Sequence, residues 1–172
     1  MSRFAHLACH AVTLNADHAA RLGPDLAGLQ PWRELGYTAD GLTRYLSRTD
    51  PALTRWTLLH EEDAVAGVLC LREPWLRGPF VELLCILPPW QKRGLGRAWL
   101  EWLSLGTAER GMANLWTTAT ESNAPARKFY ARCGFEMAGT LPNLIRPGAN
   151  EILLRKDLRR EPFLPPHAAG NQ

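Results

Sequence analysis

Residues 80–87 (FVELLCIL) constrain the fold more than any other stretch, because all but one of them are apolar. A strand of this composition is normally buried on both faces of a sheet. The next residues, 88–97 (PPWQKRGLGR), form a basic turn that contains two glycines. An apolar helix face follows at Leu95, Ala98, Trp99, Trp102 and Leu103. A buried strand followed by a turn and a helix predicts a layered α/β domain.

The remaining segments extend this prediction on both sides. Residues 4–14 predict the first strand, and Asn15 can cap a helix that the pair Gly23–Pro24 interrupts. Thr38 can cap a second helix, and residues 72–79 are predicted to be a connection. Further strands are predicted at 54–60, 64–71, 114–119, 135–140 and 151–156, and a short helix at 122–134. This order predicts a single-domain α/β fold whose mixed central sheet has about six to seven strands and four flanking helices.

Length and composition describe an ordinary globular chain. The 172 residues are enough for one domain, which we place at residues 1–158, and the Pro-rich residues 159–172 predict a poorly ordered tail. The net charge of +3 is too small to indicate nucleic-acid binding, and no apolar run approaches the roughly 20 residues of a membrane span. The four cysteines are scattered, which argues against a disulfide scaffold or a metal site. We therefore expect a cytoplasmic protein without nucleic-acid, membrane or metal partners.

The basic turn has the features of a phosphate-binding site. Gly94 and Gly96 let the backbone approach a ligand, and the following helix start offers free N–H groups. Lys92, Arg93 and Arg97 add positive charge. The turn lacks the Gly-Lys-Ser/Thr end of a P-loop, and a tryptophan replaces the third glycine of a Rossmann loop. An ordinary left-handed turn before a helix is the alternative, since a lone Gly-x-Gly is weak evidence.

Two segments together resemble the GNAT superfamily of N-acetyltransferases. Residues 81–103 resemble its motif A, whose core after an apolar strand is matched at Gln91, Gly94 and Gly96. Residues 122–139 resemble its second signature, which is matched at Asn123, Ala126, Tyr130, Gly134 and Phe135. The two segments follow each other in the family's order, and the predicted elements agree with its fold. The resemblance implies a sheet that splays near its middle and acetyl-CoA as the cofactor.

For the cofactor, the resemblance implies contacts along both motifs. The backbone of Leu84, Cys85 and Ile86 would pair with the pantetheine arm, and an N–H there would polarise the thioester carbonyl. The pyrophosphate would lie against the N–H groups of Lys92, Arg93, Gly94, Leu95, Gly96 and Arg97. Asn123 and Ala126 complete the implied cofactor contacts. The thiol of Cys85 would lie beside the thioester, and we expect it to serve packing rather than acyl transfer.

The resemblance also implies that Tyr130 is the general acid that protonates the departing thiolate, with a plain core aromatic as the alternative. The attacking amine must be neutral, so some group has to accept its proton. Glu82 is the candidate, because a carboxylate inside an apolar strand needs a partner, a solvent channel or a role. A solvent-facing or Arg-paired Glu82, with a water chain as the base, is the alternative. Relatives that acetylate ribosomal-protein N-termini carry a glutamate base where this chain has Thr118, which argues against that substrate.

In this family the acceptor pocket is built from the segment between the first two helices and the loop before the last strand, here residues 29–38 and 141–151. The candidate acceptor contacts are Trp32, Arg33, Tyr37, Asn143 and Arg146. An arginine would clamp an anionic group on the acceptor, whereas the aromatics would frame a cation. We expect acetyl transfer to a primary amine, foremost on a small molecule. A protein or peptide acceptor and a non-catalytic acyl-CoA-binding regulator are the alternatives, and the chain is expected to be a monomer or a homodimer.

Overall fold

One mixed sheet runs through the described part of the chain and carries helices on both faces. The computed structural model describes residues 2–4 and 8–159. Within them the strands are β1 (Ser2–Phe4), β2 (Cys9–Thr13), β3 (Leu53–His60), β4 (Val65–Trp75), β5 (Gly78–Ile86), β6 (Asn114–Thr120), β7 (Glu136–Arg146) and β8 (Ala149–Asp157). The helices there are α1 (Ala16–Ala27), α2 (Ala39–Ser47), α3 (Leu95–Glu109) and α4 (Ala124–Arg132), and none of them is long and apolar enough to cross a membrane. The predicted α/β class is confirmed, with the predicted first strand divided into β1 and β2.

The strand order explains where the basic turn lies. The strands follow the order β1-β2-β3-β4-β5-β6-β8-β7, and β5 and β6 are parallel neighbours. Parallel neighbours need a crossover connection, which α3 provides. The other described neighbours are antiparallel. The basic turn therefore joins the end of β5 to the start of α3, in the middle of the sheet rather than at an edge.

Strand β5 is buried on both faces, as its apolar sequence predicts. On one face Val81 belongs to a core that includes Trp99 and Leu103 of α3. On the other face Leu83 and Cys85 belong to a second core formed with α1 and α2. Each large apolar side chain buried in this way contributes roughly 1.5–3 kcal/mol. The two cores fix β5 between two layers of helices.

Helix α1 continues through Pro24, so the predicted interruption at Gly23–Pro24 is wrong. An interior proline has no N–H to donate and costs about 3 kcal/mol. The helix continues because its apolar face packs against α2 at Gly23, where a Cβ would lie 2.9 Å from the carbonyl oxygen of Ala39. Burial of Leu22 and Leu26 on the same face offsets the loss at the proline.

Residues 72–79 are not the predicted connection but the end of β4 and the start of β5. The two strands pair as far as Trp75 and Gly78, around a two-residue turn. Pro74 suggested a break in the sequence, but the pairing register shifts between Arg72 and Trp75. A proline is tolerated at such an irregularity because no ladder hydrogen bond needs its missing N–H.

Residues 141–151 likewise form strands instead of the predicted loop. Strand β7 extends to Arg146 and turns back into β8, whose first residue, Ala149, pairs with Arg146. β7 is an edge strand, and its side chains are mostly exposed. An exposed edge strand has no buried face to give its sequence an alternating apolar pattern, so the pattern could not reveal it.

We predict that Gly23→Ala destabilises the fold by about 1–3 kcal/mol, because the added methyl forces α1 away from the α2 backbone. Gly28→Ala is the matched control: at the end of the same helix its Cβ would meet its nearest neighbour, the Asp25 carbonyl oxygen, at 3.5 Å. The measurement is urea unfolding followed by circular dichroism. Equal stability of the two variants would contradict the close helix contact.

Candidate active site

The site begins where β5 and β6 separate. Their parallel pairing is limited to Phe80 with Trp116 and Val81 with Thr117. Directly after this point β5 has a bulge at Glu82, since its neighbours Val81 and Leu83 pair with consecutive residues of β4. A bulge bends its strand and re-aims side chains. The two strands diverge beyond it, which confirms the predicted splay and opens a wedge between them.

A cavity of about 590 Å³, here the helix-side cavity, lies on one side of the wedge between the basic turn and α4. Its lining includes the predicted residues Leu84, Ile86, Lys92, Gly94, Leu95, Gly96, Arg97, Ala126 and Tyr130. Gln91 supports this wall by donating from Nε2 to the carbonyl oxygen of Ile86 at 2.8 Å. Gly96 keeps the cavity open, because a Cβ there would lie 3.1 Å from the ring of Phe129.

The basic turn forms one wall of this cavity and leads directly into the first turn of α3. Lys92 and Gly94 both have positive φ, at 62° and 83°. Gly94 is also the N-cap residue of α3 and makes no side-chain cap hydrogen bond. The first N–H groups of a helix have no partner within the helix and attract anions. Lys92 and Arg97 line the cavity, whereas the Arg93 guanidinium lies over the Trp90 ring, 5.0 Å from its centroid.

A second cavity of about 500 Å³, here the loop-side cavity, lies on the other side of the wedge. Its walls come from residues 29–37, from β5 and β6, and from Glu151 at the start of β8. The two cavities share five lining residues, which are Leu84, Ile86, Gln91, Ala126 and Tyr130. A ligand in each cavity would therefore meet the other at these residues.

Tyr130 lies at the junction of the two cavities. It is 7% exposed, and its ring packs against those of Phe129 and Phe135, each 5.3 Å away between centroids. Burial raises the pKa of Tyr130 to about 12, and a hydrogen bond with the Thr117 side chain opposes that shift. Thr117 in turn donates from Oγ1 to the Val81 carbonyl oxygen at 3.0 Å. The phenol is therefore protonated at neutral pH and can donate a hydrogen bond or a proton.

Glu82 lines the loop-side cavity but is neither deeply buried nor unpaired. Its side chain is 27% exposed, and its Oε2 accepts from Nε of Arg72 at 2.9 Å. Arg72 also donates to Asp50 at 3.1 Å, and this hydrogen bond lowers the pKa of Asp50. The bulge places Glu82 at the cavity wall within reach of Arg72. The structure therefore has the Arg-paired carboxylate, one of the two arrangements that the sequence allowed.

Glu151 is a cavity residue that the sequence analysis did not single out. It is 3% exposed, and its Oε1 has no hydrogen-bond partner among the described residues. Burial raises the pKa of Glu151, and the side chains of Thr120 and Thr118 partly offset that effect. The available signal was a glutamate directly before the apolar run of β8. The predicted loop at 141–151 and the predicted strand at 151–156 meet at Glu151, and neither assignment indicates that its side chain is buried.

The other predicted residues divide into two groups. Trp32 and Tyr37 line the loop-side cavity, as does Asn123, whose Oδ1 also accepts from the Ala126 N–H at 3.1 Å and so caps α4. The exposed Arg33, Asn143 and Arg146 do not line it. Asn143 instead accepts from the Gly148 N–H at 2.7 Å and stabilises the β7–β8 turn. Their contact with an acceptor stays a prediction.

Cys85 belongs to the second core and also borders the loop-side cavity, and burial raises the pKa of its thiol to about 12. Burial raises the pKa of Cys70 to about 12 as well. A thiol with this pKa is almost wholly protonated at neutral pH and is a poor nucleophile. Cys133 is only half-buried and lines the helix-side cavity.

We predict that N-ethylmaleimide at pH 7.5 labels Cys133 well before Cys85 and Cys70, because Cys133 is only half-buried whereas burial raises the pKa of the other two thiols to about 12 and leaves them little thiolate. Mass analysis of peptides after timed labelling measures the rates, and unfolded protein is the control in which all of the cysteines react alike. Fast labelling of Cys85 in the folded protein would contradict its assignment to packing.

Comparison with known proteins identifies the family. A family model described as the acetyltransferase (GNAT) family matches residues 17–135, more than half of the chain. The [ribosomal protein bS18]-alanine N-acetyltransferase of Escherichia coli strain K12 is 42% identical over 55 residues. That stretch covers 32% of this chain and 37% of the relative, so the match spans little more than a third of the curated relative's length.

Solved structures agree with the fold. The crystal structure of the ribosomal-protein-S18-alanine N-acetyltransferase from Escherichia coli superposes with a TM-score of 0.68 at 20% identity, covering 91% of this chain and 98% of that one. An aminoglycoside 6'-N-acetyltransferase complexed with coenzyme A superposes with a TM-score of 0.69 at 14% identity, covering 89% and 99%. At these identities the superpositions show a common fold.

Proposed function

Because the chain belongs to the GNAT acetyltransferase family, we propose that it transfers an acetyl group from acetyl-CoA to a primary amine on a small molecule. The observation that carries this proposal is the meeting of two cavities at Tyr130. One cavity has the anion-binding turn that a nucleotide cofactor needs. The other has room for a small acceptor whose amine can reach the shared wall.

The helix-side cavity suits acetyl-CoA. The backbone N–H groups of residues 92–97 and the side chains of Lys92 and Arg97 would hold its pyrophosphate. The edge of β5 at Leu84–Ile86 lies past the last pairing with β6, so its backbone groups on that side would pair with the pantetheine arm, apart from the Ile86 carbonyl, which already accepts from Gln91. A related fold, the aminoglycoside acetyltransferase, has been crystallised with coenzyme A. Acetyl-CoA supplies the reactive thioester.

The chain's own residues supply acid chemistry and exclusion of water. Tyr130 keeps its proton at neutral pH and stabilises the sulfur that leaves, by donating a hydrogen bond and then the proton. Phe129 and Phe135 hold the ring in place and keep water from its faces. The Thr117 hydroxyl links Tyr130 to the point where β5 and β6 separate. The acid is therefore held by the same residues that open the wedge.

The loop-side cavity favours a small acceptor. A volume of about 500 Å³ lies within the range of roughly 300–1,000 Å³ typical of small-molecule sites. Trp32 and Tyr37, from the segment between α1 and α2, add two aromatic rings to its lining. The E. coli relative, by its name, acetylates the alanine of a ribosomal protein, so an N-terminal α-amino group is the second candidate acceptor.

We predict that Tyr130→Phe lowers turnover roughly 100-fold or more while changing the Kd of acetyl-CoA less than about 2-fold, because the ring packing is kept and the proton donor is lost. Free CoA release, with the product confirmed by mass, is measured over a panel of alkylamines, aminoglycosides and Ala-initiated peptides. Tyr45→Phe is the control, since this tyrosine packs against the second core and lines neither cavity. If only the peptides were acetylated, the acceptor would be a peptide and not a small molecule. If acetyl-CoA bound but no product formed with any acceptor, the protein would be a regulator and not an enzyme.

We predict that Gly96→Trp abolishes CoA binding, because the indole would fill the helix-side cavity against Phe129. Gly106→Trp lies further along α3, where a Cβ has open space, and should bind CoA normally. Calorimetry gives the affinity, and CoA should also protect Cys133 from maleimide, since that thiol lines the cavity. Normal CoA affinity in Gly96→Trp would overturn the cofactor position.

A further inference from the structure

Glu151 is the carboxylate of the described chain that combines deep burial with a free oxygen in the candidate active site. We propose that Glu151 binds the acceptor ammonium and accepts its proton, and that the cavity around it selects amines without an anionic group. This inference rests on the proposed acetyl transfer. The inference names the base of that reaction and the chemical class of its acceptor.

The position of Glu151 in the sheet directs it to the cavity. It pairs with Thr120 of β6 on one side and with Leu141 of β7 on the other. It lines the loop-side cavity together with Tyr130, and it is 3% exposed. Its Oε1 has no hydrogen-bond partner among the described residues. A buried carboxylate oxygen without a partner is unfavourable, and a bound ammonium would satisfy it.

Glu82 is a weaker candidate for the base in the same cavity. Its carboxylate accepts two hydrogen bonds from Arg72, at 2.9 Å to Oε2 and 3.3 Å to Oε1. Protonation of Glu82 would give up this ion pair, which Asp50 further holds in place through the same arginine. Glu151 has no cation to displace among the described lining residues. Glu151 is therefore the carboxylate of this cavity with an oxygen free for the ammonium.

The charges around Glu151 define the acceptor class. Among the described residues that line the loop-side cavity, the titratable groups are Glu82, Glu151, Tyr37, Tyr130 and the thiol of Cys85. Lysine, arginine and histidine do not occur in that lining. The arginines that could have clamped an anionic acceptor, Arg33 and Arg146, lie outside it. A cationic amine is thus attracted, and a carboxylate or phosphate close to that amine meets no positive partner and is repelled.

The proton balance of the reaction uses both residues. Glu151 takes one proton from the ammonium, which leaves a neutral amine to form the C–N bond at the thioester carbon. Tyr130 gives a proton to the sulfur as the C–S bond breaks, and its phenolate regains one from the acetylated nitrogen. Glu151 then releases its proton to water. One proton is released for each amide formed, and no oxidant or other reactant is needed.

The pH dependence follows from this scheme. Burial raises the pKa of Glu151, so the base is protonated and inactive at low pH. In the wild type, kcat/KM should rise with pH as the Glu151 carboxyl ionises. In Glu151→Gln this rise should be lost, and activity should recover only near the pKa of the free ammonium, about 10.4, where the amine is neutral without help.

The experiment compares Glu151→Gln, Glu151→Asp and Glu82→Gln over pH 5 to 10.5 with butylamine, 1,4-diaminobutane and 4-aminobutanoate as acceptors. We expect Glu151→Gln to lose roughly 100-fold in kcat/KM near neutral pH with acetyl-CoA affinity unchanged, and Glu151→Asp to keep the rise with pH. Glu82→Gln should also keep it. The wild type should prefer either of the first two amines over 4-aminobutanoate by about 10-fold or more. Loss of the rise with pH in Glu82→Gln and not in Glu151→Gln would overturn the proposal, as would equal use of 4-aminobutanoate.

A binding measurement separates this inference from the proposed function. Butylammonium is titrated into the wild-type protein and into Glu151→Gln by calorimetry, with thermal unfolding as the check that both are folded. Binding that depends on Glu151 without any acetylated product would support the ammonium site and overturn the acetyl transfer. Product formation with equal butylammonium binding in both proteins would support the transfer and overturn the role of Glu151.

Discussion

The early separation of β5 from β6 is the constraint on which the rest of the site depends. Their parallel ladder ends at Val81 and Thr117. At that point the Thr117 hydroxyl donates to the Val81 carbonyl, and its side chain lies close enough to Tyr130 to lower the pKa of that phenol. Had the ladder continued, the edge of β5 would be occupied and the two cavities would not meet. The wedge, the position of Tyr130 and the junction of the two cavities thus arise from one interrupted pairing.

Much of this fold could be predicted because strong local signals agree with the packing. The apolar strand at 80–87 and the amphipathic α3 are confirmed, and so are the caps at Asn15 and Thr38, whose side chains accept from backbone N–H groups of their helices. The family resemblance read from residues 81–103 and 122–139 is confirmed by the family model. The errors fall where proline and glycine are tolerated through tertiary contacts, as in α1, or where an edge strand lacks a buried face, as in β7. The predicted tail at 159–172 lies, apart from its first residue, outside the described residues.

The candidate site could be predicted only in part, for a physical reason. The turn and Tyr130 lie in contiguous motifs, so their residue types and spacing carry the signal. Glu82 could be named, but its partner Arg72 comes from the neighbouring strand and is visible only in the sheet. Glu151 becomes a cavity residue through the pairing of β8 with β6, distant in sequence, and it lies beyond residue 135, where the family match ends. A residue that is buried only because a strand distant in sequence pairs beside it shows no pattern in its local sequence.

The two cavities are formed by different segments of the chain, and this affects how related sequences can differ. The helix-side cavity is built from β5, the basic turn, α3 and α4, so its walls belong to the central strands and their crossover. The outer wall of the loop-side cavity comes from residues 29–37, a turn between two capped helices that adds no strand to the sheet. Substitutions in this short segment can change the shape of the loop-side cavity and leave the helix-side cavity unchanged. Closely related chains should therefore differ in what they acetylate long before they differ in how they do so.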